Sequence, residues 1–308
     1  MESQVAPSPN RLAVIGSLFA VYVIWGSTYL AMRWAVEGLP PFLMAGTRFV
    51  LTGTILFTFL KLRGAPTPTR AEWLYSLPVG VLMFVLGNGT VAMAEKHVSS
   101  SIAAVVCGSM PLWVGALGPL FGVRTSGREW VGLGIGFLGV LVLGLGGELR
   151  AEPASAALLM IAPASWALGS LLARFWPLPK GLMSAATQML TGGVSMSIVS
   201  ALHGDRLPDP LPTRAMWAWV YLAVFGSLVA YSAYTYLLRA TRPAVATSYS
   251  YVNPVVAVFF GVFFANEKLN METIVSLVLI TISTLLVLRA RGPVTPATPA
   301  NSAAVTEA

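Results

Sequence analysis

Residues 38–61 read GLPPFLMAGTRFVLTGTILFTFLK, and between Pro41 and Leu60 the sole charged residue is Arg48. An apolar run of about 20 residues is what a helix needs to cross the roughly 30 Å hydrocarbon core of a bilayer. Pro40-Pro41 suits its first turn, where a missing backbone N–H costs no internal hydrogen bond. Arg48 then sits about seven residues inside, roughly 10 Å below the nearer end at 1.5 Å per residue. An arginine deep in a membrane helix costs about 2.5–3.5 kcal/mol on insertion scales, so its charge snorkels outward or turns to a partner or a wet cavity. In no case does it face lipid.

The rest of the chain extends this reading. Of 308 residues, 56% are hydrophobic and 10% charged, less than half the charged share usual for soluble chains. Apolar runs at about 12–31, 41–61, 73–93, 99–121, 129–147, 155–175, 183–203, 215–238, 244–265 and 271–288 predict ten transmembrane helices. The connectors are too short to fold separately, so the chain is an all-α polytopic membrane protein. The first run lacks a small-residue cleavage site and reads as a retained span.

The net charge of +7 lies mostly in the connectors, where it speaks of topology and not of nucleic acid. Twelve Lys and Arg fall on the side of the N-terminus and six on the other, with Arg48 inside a span. Both termini are therefore expected in the cytoplasm. The single cysteine, Cys107, has no disulfide partner.

A faint repeat runs at an offset of 143 residues, pairing Gly26-Ser27 with Gly169-Ser170, Ala103 with Ala246, Pro111 with Pro254 and Gly118 with Gly261. Five spans separate each pair. An odd number of crossings inverts the second half, so the halves are expected to form inverted-topology repeats about an axis in the membrane plane. Pro111 and Pro254 fall mid-span at equivalent positions, and each is expected to kink its helix by freeing the carbonyl four residues earlier. Such kinks point to a carrier's midplane site, although proline also kinks membrane helices elsewhere.

The run Trp25-Gly-Ser-Thr-Tyr-Leu-Ala, continuing through Gly38-Leu-Pro-Pro-Phe42 to Arg48-Phe49, together with Asn253-Pro254 and Glu267, resembles the EamA-type members of the drug/metabolite transporter superfamily. It is most like the YedA-like inner-membrane proteins. The resemblance spans residues 12–289 and implies two five-helix repeats, 12–147 and 155–289, with flexible cytoplasmic tails at 1–11 and 290–308. It also implies a central pathway lined mainly by spans 1, 3, 4, 6, 8 and 9. The family's frequent Gly-Glu pair after the ninth span reads Asn266-Glu267 here.

The substrate-binding candidates are Trp25, Tyr29, Arg48, Asn88, Ser109, Trp113, Trp166, Tyr231, Tyr234, Tyr249, Ser250 and Asn253, with Pro111 and Pro254 as kinks. Aromatic faces and hydroxyls suit amphipathic solutes, yet each candidate equally suits helix–helix contact. Arg48 either pairs structurally with helix-end carbonyls, Glu95 or Glu37, or holds an anionic substrate group. Gly134-Ile-Gly-Phe-Leu-Gly139 matches a dinucleotide motif but lies mid-membrane, where Gly132 and Gly136 better serve close helix packing.

No Walker loop, metal cluster or catalytic set occurs around His97 or His203, so no cofactor and no metal is expected. The leading function is a secondary carrier, an exporter of small metabolites or drugs such as amino acids, acting as monomer or homodimer in the bilayer without nucleic acid. A lipid-modifying membrane enzyme and a channel or receptor are the alternatives. Glu95 and Glu267, at span ends, are weak candidates for ion coupling.

Overall fold

The computed structural model describes residues 11–123, 126–241, 245 and 248–290; both tails, Ala246 of the repeat, and Arg124, Arg242 and Arg291 of the charge comparison lie outside them. Every element among the described residues is helical. Eight helices are long and apolar enough to cross a bilayer: α1 (Arg11–Val36), α2 (Pro41–Leu62), α3 (Arg70–Ala94), α4 (Ser100–Phe121), α5 (Gly127–Gly144), α6 (Pro153–Phe175), α7 (Leu182–His203) and α8 (Thr213–Leu237). The shorter apolar helices α9 (Tyr249–Ala265) and α10 (Met271–Val287) bring the number to ten.

Local chemistry sets the boundaries. Thr69 and Ser126 close capping boxes with Glu72 and Glu129 at the starts of α3 and α5, satisfying orphan N–H groups. Pro41 and Pro153 occupy first turns. α1 runs five residues beyond its expected end near Ala31, since nothing breaks a helix before Gly38.

α2 packs on α7, α4 on α9 and α5 on α10, each against its counterpart five spans away. α1 meets α8 and α9 just as α6 meets α3 and α4. Exchanging spans five apart maps these pairs onto one another, as a two-fold axis between inverted repeats would, whereas α1 on α4 and α4 on α10 have no counterpart of similar extent among the described residues. Glycines permit the tightest contacts. A Cβ at Gly193 of α7 would come 2.7 Å from the Val50 nitrogen of α2. In the GxGxxG segment, Gly136 and Gly139 abut α10 while Gly134 meets nothing, so the motif is a packing stripe. The outer surface exposes Leu141, Ile198, Phe259, Phe263 and similar side chains, a belt suited to contact with lipid.

The helices are irregular where the repeats meet. π-helical turns occupy Val21–Trp25 in α1, Val81–Gly89 in α3 and Leu222–Val229 in α8. The last two coincide closely under the 143-residue offset. The prolines act unequally: α4 breaks at Gly108-Ser109, with Pro111 opening its second segment, whereas α9 continues as an α-helix through Pro254. The break and the second proline touch, since a Cβ on Gly108 would lie 2.7 Å from Pro254 Cγ. One broken helix is thus packed against one that remains helical through its proline.

Asn266 ends α9 in the left-handed conformation, φ 51°, and the Glu267 N–H returns to the Gly261 carbonyl at 3.0 Å. Asparagine is the residue after glycine that best tolerates this geometry, so the substitution noted above preserves the turn. Asn266→Ala is expected to lower stability by about 1–2 kcal/mol, and Asn266→Gly to be neutral, as thermal unfolding in detergent would register.

Candidate functional site

Arg48 is 5% exposed and faces the protein interior. Its Nε donates to Ser227 Oγ of α8 at 3.0 Å, and its guanidinium carbon lies 4.4 Å from the centroid of the Phe49 ring. Ser227 in turn donates to the Leu222 carbonyl at 3.2 Å inside the π-helical turn. Nη1 has no hydrogen-bond partner among the described residues. The acids expected to pair with it do not: Glu37 meets Arg33 and Arg214, and Glu95 forms no ion pair among the described residues. A desolvated fork with unused donors is suited to receive an anionic oxygen.

Nearer the face that carries the N-terminus, α1, α8 and α9 build an aromatic box. Trp25 lies 6.2, 5.3 and 5.0 Å from Tyr231, Tyr234 and Tyr249, and its Nε1 donates to the Gly226 carbonyl at 3.0 Å. Tyr231 and Tyr234 are three residues apart and share a helix face. With Thr235, Gly181, Ser184, Ala185 and Gln188 they line a cavity of about 240 Å³ between the ends of α7 and α8. Tyr29, one turn beyond Trp25, adjoins Cys107 and lies within electrostatic reach of both Glu95 and Tyr249. Thus Trp25, Tyr231, Tyr234 and Tyr249 form one connected group, with Tyr29 one turn farther along α1.

The other candidates are dispersed. Trp166 packs against Phe84 and Gly87 between α6 and α3. Trp113 meets Phe137 of α5 edge-on at 5.3 Å. Ser109 returns its hydroxyl to the Val106 carbonyl at 2.6 Å within the α4 break. Asn88 Oδ1, Asn253 Oδ1 and Trp113 Nε1 are buried without a partner among the described residues, each a cost of about 1–3 kcal/mol unless a water or ligand meets it. Ser250 sits in the first turn of α9 beside Tyr249.

At the opposite face the bundle is shut by a carboxylate. Glu267 accepts the Ser100 and Ser101 N–H groups at 2.9 and 3.0 Å, both serine hydroxyls, and Arg33 Nη1 at 3.1 Å. Those amides open α4, so the helix dipole adds to the attraction. Glu148 accepts the Ser99 N–H at 2.9 Å. A Cβ on Gly261 would collide with the Glu267 carboxylate, so glycine is needed there for the latch to seat. The arrangement has a cavity toward one face and a buried carboxylate network, the bolt, at the other.

A family model for EamA-like transporters matches residues 12–145 and again residues 154–289. The chain belongs to the EamA-like transporter family. The inner membrane transporter YedA of Escherichia coli (strain K12) is 44% identical over 260 residues, covering 84% of this chain and 85% of that protein. A transporter of Archaeoglobus fulgidus is 26% identical and covers 87% of this chain and 95% of its own length. A crystal structure 18% identical to the chain, with a TM-score of 0.61, covers 90% of this chain and 96% of its own and shares the fold.

This EamA protein is therefore a membrane transporter of the drug/metabolite type, and its family and relatives are named for transport, not for an enzyme activity. Sequence reasoning counted Arg33 only as a topological charge and treated Glu267 as a weak ion-coupling candidate. The signal for their joint role was Ser99-Ser100-Ser101 at a helix start, a ready carboxylate acceptor. That it is met from α9, 166 residues away, is a tertiary fact.

Proposed function

We propose that the protein exports small amphipathic metabolites or drug-like molecules, amino acids among them, by alternating access between its two repeats. The supporting observation is the bolt at the opposite face combined with the cavity at the N-terminal face, which is the arrangement of a carrier loaded from one side. Arg48 holds the anionic group of the substrate, and the box of Trp25, Tyr231, Tyr234 and Tyr249 stacks its apolar part. Asn88, Asn253 and Trp113 supply buried polar atoms that a ligand or accompanying water satisfies. The Lys and Arg distribution supports a cytoplasmic N-terminal face, and with it a cytoplasmic cavity.

The test is counterflow in proteoliposomes, using amino acids and cationic dyes that raise thermal stability of the purified protein. Saturable exchange supports a carrier, whereas non-saturable flux or none rejects it. For orientation, a green fluorescent reporter fused after Ala308 is expected to fluoresce and an alkaline phosphatase fusion there to be inactive; the reverse pattern would place the cavity outside.

A further inference from the structure

Glu95 follows the last turn of α3 and is 2% exposed, with neither carboxylate oxygen hydrogen-bonded among the described residues. An ionised carboxylate left so would be among the costliest groups in the molecule. The charges that reach it are Arg33 of α1 and the Glu267 carboxylate behind α9, while Tyr29 of α1 and Cys107 of α4 lie beside it. α2 and α6 also pack near this end of α3; Arg48, the ionisable side chain on their nearer halves, is engaged with Ser227. Arg33 already serves Glu267 at 3.1 Å. Arg33 therefore faces Glu95 while already paired with Glu267 and, at 4.0 Å, with Glu37.

A metal cation would need several oxygens, and those of Glu267 are already taken by Ser100, Ser101 and Arg33. A proton needs none. We infer that Glu95 is a proton-binding site that must be filled for the opposite face to close, making the proton the ion linked to the transport cycle. The step is one of simple balance: with the face open, the wetted Glu95 carboxylate takes one proton from water there, and closure buries the neutral acid beside the seated Glu267. Burial first, and Glu267 second, push the Glu95 carboxyl up from its ordinary range, with Arg33 opposing. The closed form then holds more protons than the open one. Its advantage is complete below about pH 4.3, the ordinary glutamate value, and is lost as pH rises toward the raised value of the closed form.

This inference rests on the proposed opening of the opposite face. The bolt supplies its own reporters, the Ser99, Ser100 and Ser101 amides, whose hydrogen exchange is read by mass spectrometry on wild type, Glu95→Gln and Glu95→Asp in nanodiscs. Comparing variants at one pH cancels the intrinsic pH dependence of exchange. The wild-type rate relative to Glu95→Gln should approach one below about pH 4 and rise with pH to a plateau of about tenfold for each unit by which closure raises the carboxyl. Glu95→Asp, which keeps a titrating acid, should follow wild type. A ratio constant with pH, with Glu267→Ala still faster than all three, overturns the proton site and leaves alternating access standing. If Glu267→Ala fails to speed these amides at all, the face does not open and both readings fall. Should Glu95→Gln not fold, an acid carbonyl infrared band in wild type that persists at pH 7 and shifts in Glu95→Asp upholds the site, and its absence overturns it.

Discussion

Arg48→Ala is expected to weaken binding of carboxylate-bearing substrates by about 30-fold to 4,000-fold, while neutral ligands of the same size lose far less. Removing one partner of a buried charge pair costs about 2–5 kcal/mol, and each 1.4 kcal/mol is tenfold in affinity. The size of the effect follows from the setting. The guanidinium is 5% exposed, holds one serine hydroxyl and keeps Nη1 unmet, so water screens it little. Arg48→Lys should recover part of the affinity, since it restores charge without the fork. Isothermal titration of wild type and both variants, with a carboxylate ligand and its amide, checks this; equal losses for acid and amide would make Arg48 a packing residue and remove it from the site.

Glu267→Ala is expected to undo closure at the opposite face. It strips acceptors from two backbone amides, two hydroxyls and Arg33 at once. Breaking a buried charged network by removing one partner costs about 3–5 kcal/mol, enough to shift a two-state population more than 100-fold. The open face becomes the resting state, and exchange at Ser100 and Ser101 should accelerate by that order while the α2–α7 amides stay protected. Transport should fall because the cycle stalls open. Protection at Ser100 and Ser101 unchanged from wild type would show that the bolt does not hold the face.

These two residues differ in how far sequence alone reaches. Arg48 stands out because an isolated charge in an apolar run is conspicuous, and the bilayer's low dielectric leaves it few options. Its lack of an acid partner was not visible, because partners are chosen by tertiary contact. Arg33 looks like an ordinary connector charge, and Glu267 only like a span-end acid with a weak case for ion coupling, until α9 is folded against α4. Trp25, Tyr231, Tyr234 and Tyr249 were legible as candidates and meet in one box. Trp166 and Trp113 carry the same chemistry, yet lie in separate helix–helix contacts. Residue type and helical spacing do not distinguish those outcomes, because a helix presents every face and only its neighbours decide which one meets the pathway.

Ten apolar runs near bilayer thickness and a repeat displaced by five spans suffice for the helices, their number and their inversion. The reason is that lipid obliges each crossing segment to satisfy its own backbone, so local composition governs. Which helices touch, where π-helical turns replace α-helical ones, that α4 breaks while α9 does not, and that one face is bolted by Glu267 depend on how side chains from distant spans fit together. Those choices turn on close packing and on pairings across more than a hundred residues, for which a single linear pattern carries no term.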